Sequence, residues 1–375
     1  MSLIVIILLP ILIGTAVYLR FFLKRMCIAL GVDISNTAIK ILLSVSAILL
    51  TLLVLQITKI SSLLILHILF FDIVIQLISM VIGVFRKSHN NESTVWNRVL
   101  KSGCIPIIIS VLLIISGYLN LHNVVKTNYT VYTDKDIRTE GYKVALIADV
   151  HYGISLDYEQ LLDKCKEISA NEPDIVVLCG DMVDNSTTAD GMKEVFSALG
   201  TIKSKYGIYY VHGNHDRPMS LIKSEYTEDA LTTAIEDNGI NILQDETLQI
   251  NDDLTLVGRE DRSVEYAKGS RLSIDDLLDN VEKDNFILTL DHQPNQYKEN
   301  ALAGTDLILS GHTHGGQIFP VNLLQKIIPF NDGVYGHYTV SNTTQAIITS
   351  GFAGWGFPIK TAAPAEYVII DIQKQ

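Results

Sequence analysis

Five clusters of carboxylate, amide and imidazole residues follow short apolar runs in this sequence. They are Asp149-Val-His151, Gly180-Asp181-Met-Val-Asp184, Gly213-Asn214-His215-Asp216, His292, and Gly311-His312-Thr-His314-Gly-Gly-Gln317. Alone, each reads as a turn or a cap. Together they hold five of the seven histidines beyond residue 126, and such residues share one chemistry, the ligation of divalent cations. A pair of such cations about 3.5–4 Å apart can supply a hydroxide from bound water and neutralise anionic charge on a substrate. A shared carboxylate holds such a pair together. Asp181, placed after a glycine and apart from the other ligand pairs, is the candidate bridge. Mixed nitrogen and oxygen donors suit Mn, Fe or Zn better than Ca or Mg.

Strand ends on a rigid scaffold are what bring such distant groups together. Strands are expected at Tyr142–Ala148, Ile175–Cys179, Gly207–Val211, Leu254–Gly258, Phe286–Leu290, Leu307–Leu309, Ala346–Thr349 and Glu366–Ile372, with another around Tyr129–Tyr132. Helices are expected at Tyr158–Ala170, Gly191–Leu199 and Ile274–Val281. Helices alternating with strands early, and strand-rich text later, imply an α/β domain of sheets flanked by helices.

The order DxH, GDxxD, GNHD, His, GHxH resembles that of the calcineurin-like metallophosphoesterase superfamily, over Tyr142–Ile372. GHTHGGQ and the preceding Asp-His-Gln-Pro resemble the bacterial membrane-associated branch, which includes enzymes like UDP-2,3-diacylglucosamine pyrophosphatase. The resemblance implies two β-sheets in a sandwich flanked by helices, and metal-bound hydroxide attack on phosphorus. It implies that Asp149, His151 and His314 join Asp181 around one metal ion, and Asn214, His292 and His312 join it around the other. It also implies that His215 assists the leaving group and that Asp184 orients His215. The plainer alternatives are packing for His215 and helix capping for Asp184. Asp216 reads as structural, Gly180, Gly213 and Gly311 as turn formers, and His212 as a strand residue. Arg217, Gln317, Arg259 and Arg262 are weaker candidates for substrate contact. Gly351–Ile359 is either an apolar wall beside the site or a buried turn.

The chain has 375 residues, a net charge of −12 and a mean hydropathy of +0.28. Residues 1–126 carry 10 Lys/Arg against 3 Asp/Glu, and residues 127–375 carry 19 against 38. That division excludes a uniform soluble globule, and the acidic half argues against a nucleic-acid partner. Cys27, Cys104, Cys165 and Cys179 show no CxxC spacing and read as free thiols. Four apolar runs, Leu3–Leu19, Ile39–Ile57, Leu63–Phe85 and Ile105–Leu121, each match a bilayer's hydrocarbon thickness. The first lacks the basic start and cleavage site of a signal peptide.

The expected domains are therefore a four-span, all-α membrane domain at 1–126, a connector at 127–140 and a metallophosphoesterase domain at 141–375. Arg20, Lys24, Arg25 and Lys40 in the first loop, and Arg86, Lys87, Arg98 and Lys101 in the third, place those loops in the cytoplasm; the second has only Lys59. The catalytic domain is then extracytoplasmic, on a multi-pass protein of the cell membrane. Asp72, Gln76 and Ser79 share a face of the third run, read as interhelical glue or as a headgroup or ion contact. The expected function is a membrane-bound phosphohydrolase with two divalent metal ions, acting on a phosphorylated substrate that the anchor suggests is lipid-linked or a cell-envelope precursor. The alternative is an inactive binding or sensor module. The oligomeric state stays open.

Overall fold

The computed structural model describes residues 3–56, 58–86, 94–217, 224–265, 269–328 and 330–375. Lys87 and Ile57 of the expected loop and run lie outside them. The chain divides into two compact units, Met1–Ser116 and Gly117–Gln375.

The first unit is helical: α1 (Leu3–Ala29), α2 (Thr37–Val54), α3 (Ile60–Arg86), α4 (Thr94–Lys101) and the start of α5 (Cys104–Leu121). Among the described residues, three helices are long and apolar enough to cross a membrane, at Thr37–Val54, Ile60–Gly83 and Cys104–Leu121. Four spans were expected. The remaining run opens α1, which continues past Leu19 through Arg20, Lys24 and Arg25. Asp72 on α3 is fully buried, accepts from the Tyr18 hydroxyl at 2.8 Å and pairs with Arg25. A carboxylate in hydrocarbon needs such partners, and these give it the interhelical role.

The second unit is an α/β sandwich. One sheet runs β1-β12-β2-β3-β4-β5 and the other β10-β11-β9-β8-β7-β6. The first comprises β1 (Val125–Thr133), β2 (Tyr142–Ile147), β3 (Ile175–Cys179), β4 (Ile208–Val211), β5 (Ile240–Ile242) and β12 (Glu366–Lys374). The second comprises β6 (Glu246–Asn251), β7 (Leu254–Gly258), β8 (Phe286–Leu290), β9 (Leu307–Ser310), β10 (Gly336–Thr339) and β11 (Gln345–Ile348). β2, β3 and β4 pair in parallel, as do β7, β8 and β9.

Both sheets are covered on each face at their centres, so these strands read as unbroken apolar text. Val144, Leu146, Val177, Leu256, Leu288 and Leu309 fill the space between the sheets. Ala145, Ile147, Val176 and Leu178 face outward onto α6 (Tyr158–Ser169) and α7 (Ala189–Leu199). α6 opens on a capping box in which Asp157 and Gln160 satisfy each other's backbone N–H groups, a pattern worth about 1 kcal/mol. The strand expected around Tyr129–Tyr132 runs from Val125 to Thr133, starting before the expected connector, as an edge strand parallel to β12. The later helices are α8 (Glu228–Glu236), α9 (Ile274–Leu278), where the expected helix at Ile274–Val281 ends early, and α10 (Tyr297–Ala303). Parallel pairing delivers the ends of β2, β3, β4, β8 and β9 to one side of the sandwich, where α/β folds carry their sites.

Candidate metal centre

The loops leaving these strands hold their side chains with strained backbone. Asp149, His151, Asp181, His312 and His314 have φ of 54°, 39°, 57°, 70° and 49°. Non-glycine residues enter this region rarely, Asp and His more readily than most, and such strain concentrates at functional sites. Asp216 anchors two of the loops. Its carboxylate accepts from the backbone N–H of Asp181 at 2.7 Å, Met182 at 2.8 Å and Gly213 at 2.6 Å, which is the structural role expected. Gly213 has to be glycine, because a Cβ there would stand 2.1 Å from Asp181 Oδ1.

Six expected ligands fall into two groups, Asp149, His151 and His314, and Asp181, His292 and His312, each with its donor atoms within 4.8 Å of one another. Asp181 lies between the groups. Its Oδ2 is 3.1 Å from His292 Nε2 and 3.8 Å from His151 Nε2. His314 Nε2 is 3.5 Å from Asp149 Oδ1. Asn214 Oδ1 is 2.8 Å from His312 Nδ1, so the seventh expected ligand joins the second group.

The donor set fits divalent cations. His292 Nδ1 contacts the Cys179 carbonyl at 2.7 Å and His314 Nδ1 the Ala353 carbonyl at 3.2 Å. A proton on each Nδ1 leaves the Nε2 lone pair free to ligate, the usual arrangement for metal-binding histidine. The Nε2 atoms of His151 and His292 are buried without a hydrogen-bond partner, a costly state that a cation relieves.

Without a cation, protons take up the charge. Burial opposes a charged His292, yet Asp181 and Asp149 outweigh it and hold its pKa well above the ordinary value. Burial would also raise Asp181, but His292 and His151 hold it below the usual carboxylate range. Burial lowers His312 to about 4, with His292 adding to the effect. It raises Asp149 to about 6 against the opposing charge of His292. Below about pH 6, therefore, Asp149 keeps a proton that a cation has to displace. We expect Mn²⁺ affinity, measured by isothermal titration calorimetry, to rise at least about tenfold from pH 5 to pH 7, with the protons held by Asp149 and His292 released on binding. A flat affinity over that range would remove both residues from the ligand set.

Asp184 does not orient His215. Its Oδ2 lies 3.3 Å from His151 Nδ1, while its Oδ1 accepts from Ser186 N at 2.7 Å. Burial is outweighed by His151 and Ser186, which hold this carboxyl at about 2. Nor does it cap the next helix, because Thr188 caps α7. Among the described residues no hydrogen bond joins Asp184 to His215. His215 instead stacks on Trp355, ring centroids 4.7 Å apart, and donates its backbone N–H to Asp181 Oδ1 at 2.8 Å. Burial holds its imidazole pKa below the ordinary value, against the charge of Asp181.

The weaker candidates are engaged elsewhere. Arg217 pairs with Glu260 and Glu228, Arg259 with Asp291 at 3.5 Å, and Arg262 with Glu265. Gln317 clamps the 355–359 loop, its Oε1 accepting from Trp355 N at 2.9 Å and its Nε2 donating to the Phe357 and Ile359 carbonyls at 3.2 Å.

Lys360 went unnoticed in the sequence. It is fully buried, and its ammonium donates to the carbonyls of Ser350, Gly351 and Ala353. Ala353 in turn donates its N–H to the Asp149 carbonyl at 2.9 Å. The only sequence signal was a lone cation in the apolar stretch Gly-Phe-Pro-Ile-Lys-Thr-Ala-Ala-Pro.

A family model for calcineurin-like phosphoesterases matches residues 142–316. An uncharacterized metallophosphoesterase of Campylobacter jejuni is 31% identical over 275 residues, covering 71% of this chain and 68% of that protein. One from Helicobacter pylori is 31% identical over 238 residues, covering 63% of this chain and 60% of its own. A Bos taurus transmembrane protein with metallophosphoesterase domain is 28% identical over 245 residues, covering 62% of this chain and 53% of that protein. The chain thus spans little more than half to two thirds of the length of these relatives. The family model and the Campylobacter relative show that this chain belongs to the calcineurin-like phosphoesterases, metal-dependent enzymes that hydrolyse phosphoester bonds.

Proposed function

We propose that the protein is a membrane-bound phosphohydrolase whose two divalent cations share Asp181. The observation that carries this reading is the position of Asp181 Oδ2, 3.1 Å from one group's His292 and 3.8 Å from the other group's His151. Asp149, His151 and His314 complete one ion's ligands, and Asn214, His292 and His312 complete the other's. Such ions, Mn, Fe or Zn by donor type, supply a water of lowered pKa and neutralise phosphate charge.

The chain's own groups do the rest. Asp184 holds the His151 ring from its Nδ1 side. His215 gives a proton to the departing oxygen, held against Trp355. A bound phosphate anion offsets the burial that lowers its pKa and so favours the charged ring. Purified protein with Mn²⁺ is expected to hydrolyse bis-p-nitrophenyl phosphate and to lose that activity to EDTA. Metal-replete protein inactive on mono- and diesters alike would leave the binding-module reading.

The catalytic domain, 141–375, lies outside the cytoplasm in this proposal, supported by the Lys and Arg residues of the first and third loops and by reading all four apolar runs of 1–126 as spans. The substrate is a lipid-linked phosphoester or a cell-envelope pyrophosphate, supported by the anchor and by the GHTHGGQ motif. Asn128 is exposed. Asn128→Cys is expected to react with a membrane-impermeant maleimide on intact cells, and protection there would place the domain in the cytoplasm.

A further inference from the structure

The helix after the His312–Gln317 loop, α11 (Val321–Ile327), is amphipathic in the wrong sense for a soluble domain. At about 100° per residue, Val321, Leu323, Leu324, Ile327 and the following Ile328 fall in one arc, and Asn322, Gln325 and Lys326 in the other. The apolar arc faces out. Val321, Leu323, Leu324, Ile327, Ile328 and Phe330 are 42%, 45%, 54%, 74%, 55% and 77% exposed. Asn322 and Gln325 turn toward the protein, where Asn322 Oδ1 and Gln325 Oε1 are enclosed without a hydrogen-bond partner. No side chain of α11 is buried. An isolated seven-residue helix is marginal in water and ordinarily gains its stability from a covered apolar face. Of the eleven exposed large apolar residues described beyond Leu121, these are six and Trp355 is a seventh, so the patch is concentrated enough to mark an interaction site.

What covers it follows from where it is tethered. Phe319 N, just before α11, donates to Thr361 Oγ1 at 2.8 Å, and Gln317 holds the 355–359 loop. The segment that follows this loop, 360–363, is bound to the last turn of α5. Asn120 Nδ2 donates to the Lys360 and Ala363 carbonyls, both at 2.7 Å, and Lys360 N donates to the Gly117 carbonyl at 3.0 Å. α5 is long and apolar enough to cross a bilayer, so its last turn marks the depth at which a span leaves hydrocarbon. α11 and Trp355 are therefore hydrogen-bonded into the structure that meets the membrane surface.

We propose that α11, with Phe330 and Trp355, lies in the interface of the bilayer that α5 crosses, its apolar face toward the acyl chains. Trp at headgroup depth and a short helix with an apolar outer arc are the features of such an interface. Because Trp355 also stacks on His215, ring centroids 4.7 Å apart, this placement brings His215 close to the headgroup layer. This deepens the proposed function and rests on it: the phosphoester reaches His215 while its apolar part stays in the membrane.

The test uses the full chain in phosphatidylcholine–phosphatidylglycerol vesicles, with Cys27→Ser, Cys104→Ser and Ile327→Cys, the new thiol carrying an NBD fluorophore. The proposal expects a blue-shifted emission, quenched at least about twofold by lipid with a doxyl group near the headgroup, and unchanged when the protein is diluted in lipid. Water-like, unquenched emission would overturn it. Shielding that disappears on dilution would assign the patch to a second copy of the chain and overturn it too. Ile327→Asp, assayed on soluble bis-p-nitrophenyl phosphate, is expected to keep activity within about twofold. Loss of the NBD result with this activity intact would sink the interface alone, whereas absence of any hydrolysis in the wild-type chain would sink the hydrolase reading.

Discussion

Asp181→Ala is expected to abolish metal loading and turnover together. In the proposed centre its carboxylate serves both donor groups, 3.1 Å from His292 Nε2 and 3.8 Å from His151 Nε2, so the loss would take a ligand from each ion and the bridge between them. A fall of at least about 10³-fold in kcat follows when such a centre is dismantled, and elemental analysis should find less than one equivalent of metal. The substitution also leaves His292 and His151 without the charge that faces them. Removing one partner of a buried pair costs about 3–5 kcal/mol when the other stays ionised, and His292 can avoid part of that by losing its proton. Asp181→Asn keeps the shape and the contact to the His215 backbone while removing the charge. It should therefore fold with a wild-type circular dichroism spectrum and still bind metal weakly. Two equivalents of tightly held Mn²⁺ in Asp181→Ala would refute a shared carboxylate.

His215→Ala should separate what Asp181→Ala joins. His215 belongs to neither donor cluster, so metal content is expected to stay at the wild-type level. Loss of a leaving-group proton donor typically costs 10²–10⁴-fold. The size of the loss should depend on the alcohol released. A p-nitrophenolate leaves readily unprotonated, so its esters should lose about 10²-fold or less. Alkyl phosphoesters, whose leaving oxygen needs the proton, should lose at least about tenfold more. A packing role for His215, which its stacking on Trp355 would also satisfy, predicts equal losses for both. Full activity on alkyl esters would end the proton-donor assignment.

Legibility in the sequence followed burial. β3, β7 and β8 stand as the apolar text indicates because every residue in them is buried, and the period-2 signal is replaced by a continuous run. β6 and β10 escaped notice because they are edge strands with exposed or half-exposed residues throughout, where polar text and strand are compatible. The donors were readable because Asp, His and Asn cluster beside glycine at strand ends.

The partner of Asp184 was not. A spacing of three residues after Asp181 fixes chain distance, and the direction of its carboxylate depends on the Asx-turn with Ser186, which points it at His151. Trp355 falls in the Gly351–Ile359 stretch that the sequence offers as a wall beside the site, and it stacks on His215; Lys360 lies far along the chain from every motif it supports, and no local pattern links it.

Lys360 lies at a junction of two otherwise separate jobs. Its backbone is held by Asn120 and Gly117 at the end of α5, and its ammonium gathers the 350–353 carbonyls beside Asp149 and His314. An anchor could have been joined to a hydrolase by any slack tether. Here one residue is common to the end of α5 and to the loop that backs Asp149 and His314, so severing the chain between Leu121 and Val124 should yield a protein whose donor residues have lost part of their support.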